Sequence, residues 1–202
     1  MRELLRRYPV TAGYLLVVTG LAVLMGFVFA DGMSAQVRES LSTNLHNLGD
    51  HPVNALLGSA FVLATDDGVV FTLVAAAGLA VCLGALERAV GAWRAAAVVL
   101  VGHVGATVVA ASVIASGVYG VDLSRVEDVG ISYVAFSAAG AVTVLVPGVL
   151  RGPWLALLAG YPLVDAEWFG WVPDFGSIGH LCAVVLGVAG GVVAYRRVYS
   201  SV

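Results

Sequence analysis

Long apolar runs constrain this chain more than any other feature of its sequence. Six runs, each near the roughly 20 residues that a helix needs to cross a bilayer, divide the 202 residues. They cover approximately 10–30, 68–86, 93–116, 129–147, 153–170 and 176–195. Because 60% of the residues are hydrophobic and only 11% are charged, the composition is far from that of a soluble domain. We therefore expect an all-α membrane protein, a six-helix bundle forming one domain over 1–202, with an interfacial outer loop over about 31–67.

The arginines predict how these helices are oriented. Short cytoplasmic loops retain positive charge, and eight of the ten basic residues fall on the side that holds both termini. These eight are Arg2, Arg6, Arg7, Arg88, Arg94, Arg151, Arg196 and Arg197. Both termini are therefore expected in the cytoplasm. The chain shows no basic patch of the kind that nucleic acid requires, so nucleic acid is not expected as a partner.

A serine and a histidine lie inside two of the apolar runs, where an unpaired polar side chain is costly. At 1.5 Å per residue, Ser132 in the fourth span and His180 in the sixth are both expected roughly 5 to 8 Å below the outer boundary. Phe136 shares a helix face with Ser132 and could hold an imidazole by stacking. Two interpretations follow. The pair forms a Ser/His dyad for nucleophilic catalysis, or each side chain is satisfied separately by a carbonyl or a neighbouring span.

These residues resemble the rhomboid intramembrane serine proteases, and in particular their shorter bacterial rhomboid-like relatives. The fourth helix of that family carries Gly-x-Ser-Gly with an aromatic residue four positions after the serine. Gly130-Ile131-Ser132 with Phe136 matches this pattern except at Tyr133. On the sixth span, Gly179-His180 is followed by small residues three and seven positions later, as in the family. The segment Leu86-Glu87-Arg88 is similar to the family's Leu-Glu-Arg at the cytoplasmic end of the second helix.

The resemblance implies a function and a set of site residues. Ser132 would be the nucleophile and His180 the general base and then the general acid, with Phe136, Gly130 and Gly179 supporting the dyad. Substrates would be transmembrane segments of other proteins, cut near their outer ends. The protein would lie in a bacterial plasma membrane, with the lipid bilayer around it and the active site opening to the outer face. No cofactor is implied.

One part of the family's site is missing. Active rhomboids usually carry His and Asn four positions apart on the second helix to bind the oxyanion, and the corresponding residues here are Phe71 and Ala75. Candidates for a substitute oxyanion donor or a substrate gate are Tyr133, Asn47, His51 and Asn54. The polar outer loop has a simpler interpretation as well, namely helix capping and a proline turn. The alternative function is therefore a catalytically inactive rhomboid-like pseudoprotease that binds transmembrane segments.

Other chemistries have less support in the sequence. Four histidines occur without a His-Glu-x-x-His helix, so no metal site is expected. Every aspartate falls in an outer loop, which disfavours an intramembrane aspartyl protease. His103, near the middle of the third span, is expected to make an interhelical hydrogen bond. Cys82 and Cys182 are expected to be apolar fillers. We find no internal repeat, which ranks a transporter third.

Overall fold

The computed structural model describes residues 2–28, 33–63, 69–129 and 131–200, and most of these residues are helical. The helices are α1 (Arg2–Arg7), α2 (Pro9–Val23, continued by a π-helical turn Leu24–Val28), α3 (Met33–Leu41), α4 (Leu45–Asp50), α5 (Pro52–Gly58, continued by a 3-10 turn Ser59–Phe61), α6 (Val69–Val90), α7 (Ala92–Ala115), α8 (Ser132–Ala141, continued by a 3-10 turn Val142–Val144), α9 (Gly148–Asp165) and α10 (Phe175–Tyr199). Two short antiparallel strands, β1 (Trp168–Phe169) and β2 (Val172–Pro173), form a hairpin between α9 and α10.

Within the described ranges, three helices are long and apolar enough to cross a membrane: Pro9–Phe27, Ala92–Ala115 and Phe175–Tyr199. Large apolar side chains lie on the outside of the bundle, for example Val164, which is 89% exposed, and Val149, which is 84% exposed. Lipid is the solvent that such a surface suits. The expected all-α class is confirmed, whereas the number of spans and their orientation stay predictions.

The centre of the bundle is formed by α10 packed against α7 and α8. Small residues allow α8 and α10 to approach closely, as they do at many membrane helix interfaces. A Cβ atom at Gly191 would lie 2.8 Å from the Cα of Ala141, and one at Gly140 would lie 3.1 Å from the Cα of Val184. The two backbones therefore meet at a distance that no larger residue permits.

Two predicted spans differ from the helices that form. The fourth run, expected over 129–147, is helical from Ser132 to Val144 only, so Ser132 begins its helix and does not lie a few residues inside it. Asp128, in the loop before this helix, is bonded to the first outer segment, because the backbone N–H of Thr43 donates to its carbonyl at 2.8 Å. The fifth run, expected to reach residue 170, ends as a helix at Asp165, and the hairpin turn follows with Gly170 at φ +68°.

Glu87, in the segment that resembles the family's Leu-Glu-Arg, caps the start of α2. Its carboxylate accepts hydrogen bonds from the backbone N–H of Val10 at 2.9 Å and of Thr11 at 2.9 Å. The Thr11 hydroxyl donates to the same carboxylate at 2.7 Å. The first N–H groups of a helix have no partner within the helix, and an anion there is stabilising. Glu87 therefore connects α6 to α2.

We expect Glu87→Ala to destabilise the protein by about 2–4 kcal/mol, because it leaves buried donors of α2 without an acceptor. Thermal unfolding in detergent micelles measures this change. Glu87→Gln keeps one acceptor oxygen and should lose less, and Glu3→Ala, on an exposed side chain of α1, should change nothing. Equal melting temperatures for Glu87→Ala and wild type would contradict the capping role.

Candidate active site

Ser132 and His180 line the same cavity, which has a volume of about 490 Å³. Its walls come from α6, the start of α8, the end of α9 and the start of α10. Ser132 is the first residue of α8, and His180 lies one and a half turns inside α10. Among the described residues, neither the Ser132 hydroxyl nor the His180 ring has a hydrogen-bond partner. The cavity therefore brings together a hydroxyl and an imidazole that make no hydrogen bond in the described part of the chain.

The imidazole of His180 lies between two aromatic rings of α8. The ring of Phe136 is tilted by 30° over it, with the centroids 4.6 Å apart. The ring of Tyr133 meets it edge-on at 72° and 5.3 Å. Tyr161 of α9 stacks on Phe136, with the ring centroids 6.3 Å apart. This arrangement restricts the rotation of the imidazole without an acidic partner.

Tyr133 is itself held tightly. It is 3% exposed, and its hydroxyl donates to a carboxylate oxygen of Asp128 at 3.4 Å. A Cβ atom at position 179 would lie 2.6 Å from Cε1 of Tyr133, so only glycine fits there. Gly179 therefore makes room for the tyrosine ring beside His180. The hydroxyl of Tyr133 points to Asp128 in this structure, and its role as an oxyanion donor or gate stays a prediction.

Asp128 connects the first outer segment to this site. Its carboxylate accepts from the Thr43 hydroxyl at 2.9 Å, and its backbone N–H donates to the Ser42 hydroxyl at 2.9 Å. Burial raises the pKa of the Asp128 carboxyl, and the hydrogen bonds from Thr43 and Tyr133 oppose that rise. The folded protein therefore holds this carboxyl in a place that disfavours its charge.

We expect Asp128→Asn to raise the melting temperature at pH 7 by about 2–4 °C. The pKa of this carboxyl in the folded protein lies above its ordinary value of 3.8. The folded state therefore becomes less stable as pH rises from the ordinary pKa through the folded pKa, whereas the uncharged amide has no such penalty. The amide oxygen still accepts from Thr43 and Tyr133. Melting curves from pH 3 to 8 should converge at the acidic end.

Asp122→Asn is the matched control for this pH series. Asp122 is exposed, and hydrogen bonds from Ser124 lower the pKa of its carboxyl, so removal of its charge should bring no gain in stability. A melting temperature of Asp128→Asn below that of wild type at pH 7 would contradict the prediction. It would mean that the charge of Asp128 is needed for its hydrogen bonds.

The start of α8 supplies hydrogen-bond donors beside the serine. The residue before the helix, Ile131, has no side chain that can cap it. No described group accepts from the backbone N–H of Ser132 or of Tyr133, which is expected for the first residues of a helix. The positive end of the helix dipole lies at the same place. These two N–H groups can stabilise a negative charge that develops next to Ser132.

Comparison with known families decides the classification. A sequence model described as rhomboid-like protein matches residues 3–198. The chain belongs to the rhomboid-like protein family. Comparison with curated proteins and with solved structures finds no significant match. The predicted resemblance is thus confirmed, and with it an integral membrane protein related to intramembrane proteases and pseudoproteases.

Three residues suggested from the outer loop do not line the cavity of this rhomboid-like protein. Asn47 is buried, and its side-chain amide donates to the carbonyls of Glu39 at 2.6 Å and Ser42 at 3.0 Å. His51 and Asn54 are exposed. The capping interpretation of this loop fits the geometry, since the side chain of Asn44 accepts from the backbone N–H of Asn47 at the start of α4. The polar cluster shapes the loop.

Other positions of the rhomboid-like pattern lie on α6 and just before α8. Ala75, which the resemblance predicts to stand where active rhomboids usually carry an oxyanion donor, lines the cavity. Phe71 lies four residues earlier on α6. Gly130 is outside the described residues, so its part in the site stays a prediction.

His103 of the rhomboid-like bundle makes buried hydrogen bonds of its own on α7. Its Nε2 lies 2.9 Å from the carbonyl of Leu56 and 3.3 Å from the hydroxyl of Ser59. These hydrogen bonds connect α7 to the end of α5, as expected for a buried polar side chain in a bundle. Its ring also lies 6.1 Å from that of Tyr133.

Sequence reasoning missed Asp128 as part of the site. This residue precedes the predicted fourth span, and nothing in a run of loop residues shows which of them contacts the helix that follows. Its spacing from Tyr133, five positions, is not one that places two residues on one helix face. The pairing depends on the loop conformation, which the segment around Thr43 determines.

Proposed function

We propose that this rhomboid-like protein is an intramembrane serine endopeptidase that hydrolyses peptide bonds in or near transmembrane segments of membrane proteins. The observation that carries the proposal is the shared cavity of Ser132 and His180, with the imidazole held between Phe136 and Tyr133. A nucleophile and a base must reach each other, and in an enzyme without substrate their hydrogen bond is often long or unformed. The family relationship supports the same chemistry.

The reaction would proceed through an acyl-enzyme. His180 takes the proton from the Ser132 hydroxyl while the oxygen attacks the carbonyl carbon of the scissile bond. The imidazolium then donates that proton to the leaving amine, and the C–N bond breaks. In the second half, His180 takes a proton from water while the water oxygen attacks the carbonyl carbon of the ester. The imidazolium then returns that proton to the Ser132 oxygen as the ester C–O bond breaks, which releases the new carboxyl end and restores the free serine. Phe136 and Tyr133 would keep the imidazole in one orientation throughout.

The backbone would supply the oxyanion site. Donors aimed at the developing negative charge are commonly the largest single catalytic contribution, and the loss of one costs about 10²–10³ in rate. The N–H groups of Ser132 and Tyr133, at the positive end of α8, can supply two such donors. Because Ala75 offers none, we expect catalysis to be slower than in relatives that carry side-chain donors.

The arrangement in the membrane belongs to the same proposal. We propose one domain with six spans, both termini in the cytoplasm and the cavity opening to the outer face. The carboxylates of Asp165 and Asp174 line the cavity, and the basic ends of α6 and α10 lie at the opposite end of the bundle. This distribution of charge agrees with the tendency of arginine to stay on the cytoplasmic side.

A second candidate is a pseudoprotease that binds transmembrane segments without cutting them. The observation that favours it is Ala75, whose methyl group stands in the cavity in place of an oxyanion donor. Such a protein would still need the cavity between α6, α8 and α9. It would not need the reactivity of Ser132.

Covalent labelling tests the two candidates against each other. The protein in liposomes is treated with a fluorophosphonate, and the adduct is located by peptide mass spectrometry. An adduct on Ser132 that His180→Ala prevents would support the endopeptidase. The endopeptidase would be overturned in favour of the pseudoprotease by two results together: the folded wild-type protein takes no label, and the Ser132→Ala variant still co-purifies with a membrane partner.

A further inference from the structure

A second cavity lies at the opposite end of the bundle from the candidate active site. Its volume is about 710 Å³, and its walls come chiefly from α2 and α6. The deeper wall consists of apolar residues, most of them small: Ala12, Leu15, Ala80, Val81, Gly84 and Ala85. Both helices carry exposed apolar side chains nearby, such as Leu16 and Val81. The cavity is therefore a groove on the surface that faces lipid.

The mouth of this groove is cationic and phenolic. Arg88, Tyr8 and Tyr199 line it together. The guanidinium of Arg7 lies 5.7 Å from the ring centroid of Tyr8, which places a second positive charge next to it. The hydroxyl of Tyr199 donates to the carbonyl of Ala89 at 3.5 Å and so connects the end of α10 to the end of α6.

Within the described residues, no carboxylate neutralises Arg88. Its neighbour Glu87 is turned toward α2, where three hydrogen bonds occupy its carboxylate. The groove that begins at Arg88 extends along α6 to Ala80, which is about 12 Å at 1.5 Å per residue. A positive mouth above a narrow apolar groove is complementary to a phosphate with an acyl chain attached. Basic residues between helices on the cytoplasmic side have this property in general.

We propose that the groove between α2 and α6 binds an anionic phospholipid, with its phosphate at Arg88 and Arg7 and one acyl chain along Gly84 and Ala80. The tyrosines would lie at the level of the headgroup, where aromatic side chains with a polar end are favoured. The bound lipid would bridge α2 and α6 next to the contact between Glu87 and Thr11. This proposal does not depend on whether Ser132 reacts.

Native mass spectrometry of the full chain, released from micelles that contain phosphatidylglycerol or phosphatidylcholine, tests the proposal. We expect more phosphatidylglycerol than phosphatidylcholine to stay bound to wild type. Arg88→Gln should lower the affinity for phosphatidylglycerol about fivefold and leave phosphatidylcholine unchanged, because one headgroup cation contributes that order of affinity. Gly84→Leu, which fills the groove, should lower binding of both lipids.

The control variant is Arg151→Gln. Arg151 is also exposed, but it does not line this groove, and its guanidinium donates to the carbonyl of Val146 at 3.0 Å. Its removal should leave both affinities unchanged. Equal retention of the two lipids by wild type would overturn the proposal. So would an equal loss of phosphatidylglycerol in Arg88→Gln and Arg151→Gln, since it would show attraction to surface charge in general.

Discussion

Ser132→Ala is expected to lower labelling by a fluorophosphonate, and cleavage of any transmembrane substrate, by about 10⁴-fold or more. The methyl group cannot attack a carbonyl or a phosphonate, and loss of the nucleophile in serine hydrolases removes nearly all of the chemical rate. His180→Ala should reduce labelling by a similar factor, because it removes the imidazole proposed to take the proton of Ser132. Both variants should keep the melting temperature of wild type to within a few degrees, since both side chains face a cavity.

Ser112→Ala serves as the control for that experiment. Ser112 is an exposed serine of α7 whose hydroxyl donates to the carbonyl of Val108 in its own helix, and its removal should leave labelling unchanged. Labelling that persists in Ser132→Ala would contradict the assignment of the nucleophile. Loss of labelling in Ser132→Ala but not in His180→Ala would contradict the dyad alone, and would point to a reactive serine with another base.

Gly187→Ala is expected to destabilise the protein by about 3 kcal/mol. A Cβ atom at this position would collide with the carbonyl oxygen of Ser137 and lie 2.9 Å from its Cα. The obstacle is backbone of α8, which cannot turn away as a side chain can. Relief requires α8 and α10 to separate, and contacts along both helices weaken together. Thermal unfolding in micelles measures the loss.

Gly20→Ala is the matched control. Gly20 lies inside α2, and nothing within 4 Å would meet a Cβ atom there. The substitution should be neutral or slightly stabilising, because alanine favours a helix more than glycine does. Equal melting temperatures for Gly187→Ala and Gly20→Ala would show that α8 and α10 are not in backbone contact. Because Ser137 follows Phe136, a separation of the two helices should also loosen the site around His180.

The residues at which helices begin and end show how far the sequence could predict this fold. Hydropathy located α7 closely, since the run expected over 93–116 forms Ala92–Ala115. It did not locate the start of α8, because the residues before Ser132 are apolar enough for a helix. The carbonyl of Asp128, which precedes them, instead accepts from the hydroxyl of Thr43, 85 positions away. Hydropathy also did not predict the hairpin after α9, because the turn of that hairpin depends on Gly170.

The candidate site divides in the same way. The sequence around Ser132 and His180 predicted that the two side chains lie at the same depth in the membrane, and in the structure both line one cavity. The aromatic partner Phe136 could be named from its spacing of one helical turn. The carboxylate that accepts from Tyr133 could not be named. The outer-loop amide of Asn47, a candidate oxyanion donor or gate, donates to the nearby carbonyls of Glu39 and Ser42 in the structure.

The sequence by itself determined the helical class, the membrane environment and the family of this protein. These properties depend on hydropathy, on short motifs and on spacing along one helix, all of which are local. Only the tertiary structure decided which buried polar groups meet. The carboxylate of Glu87 accepts from the backbone N–H of Thr11, 76 positions away. The backbone N–H of Asp128 donates to the hydroxyl of Ser42, 86 positions away. The physical reason is that a buried polar group must find a partner, while the sequence leaves open which distant segment supplies it.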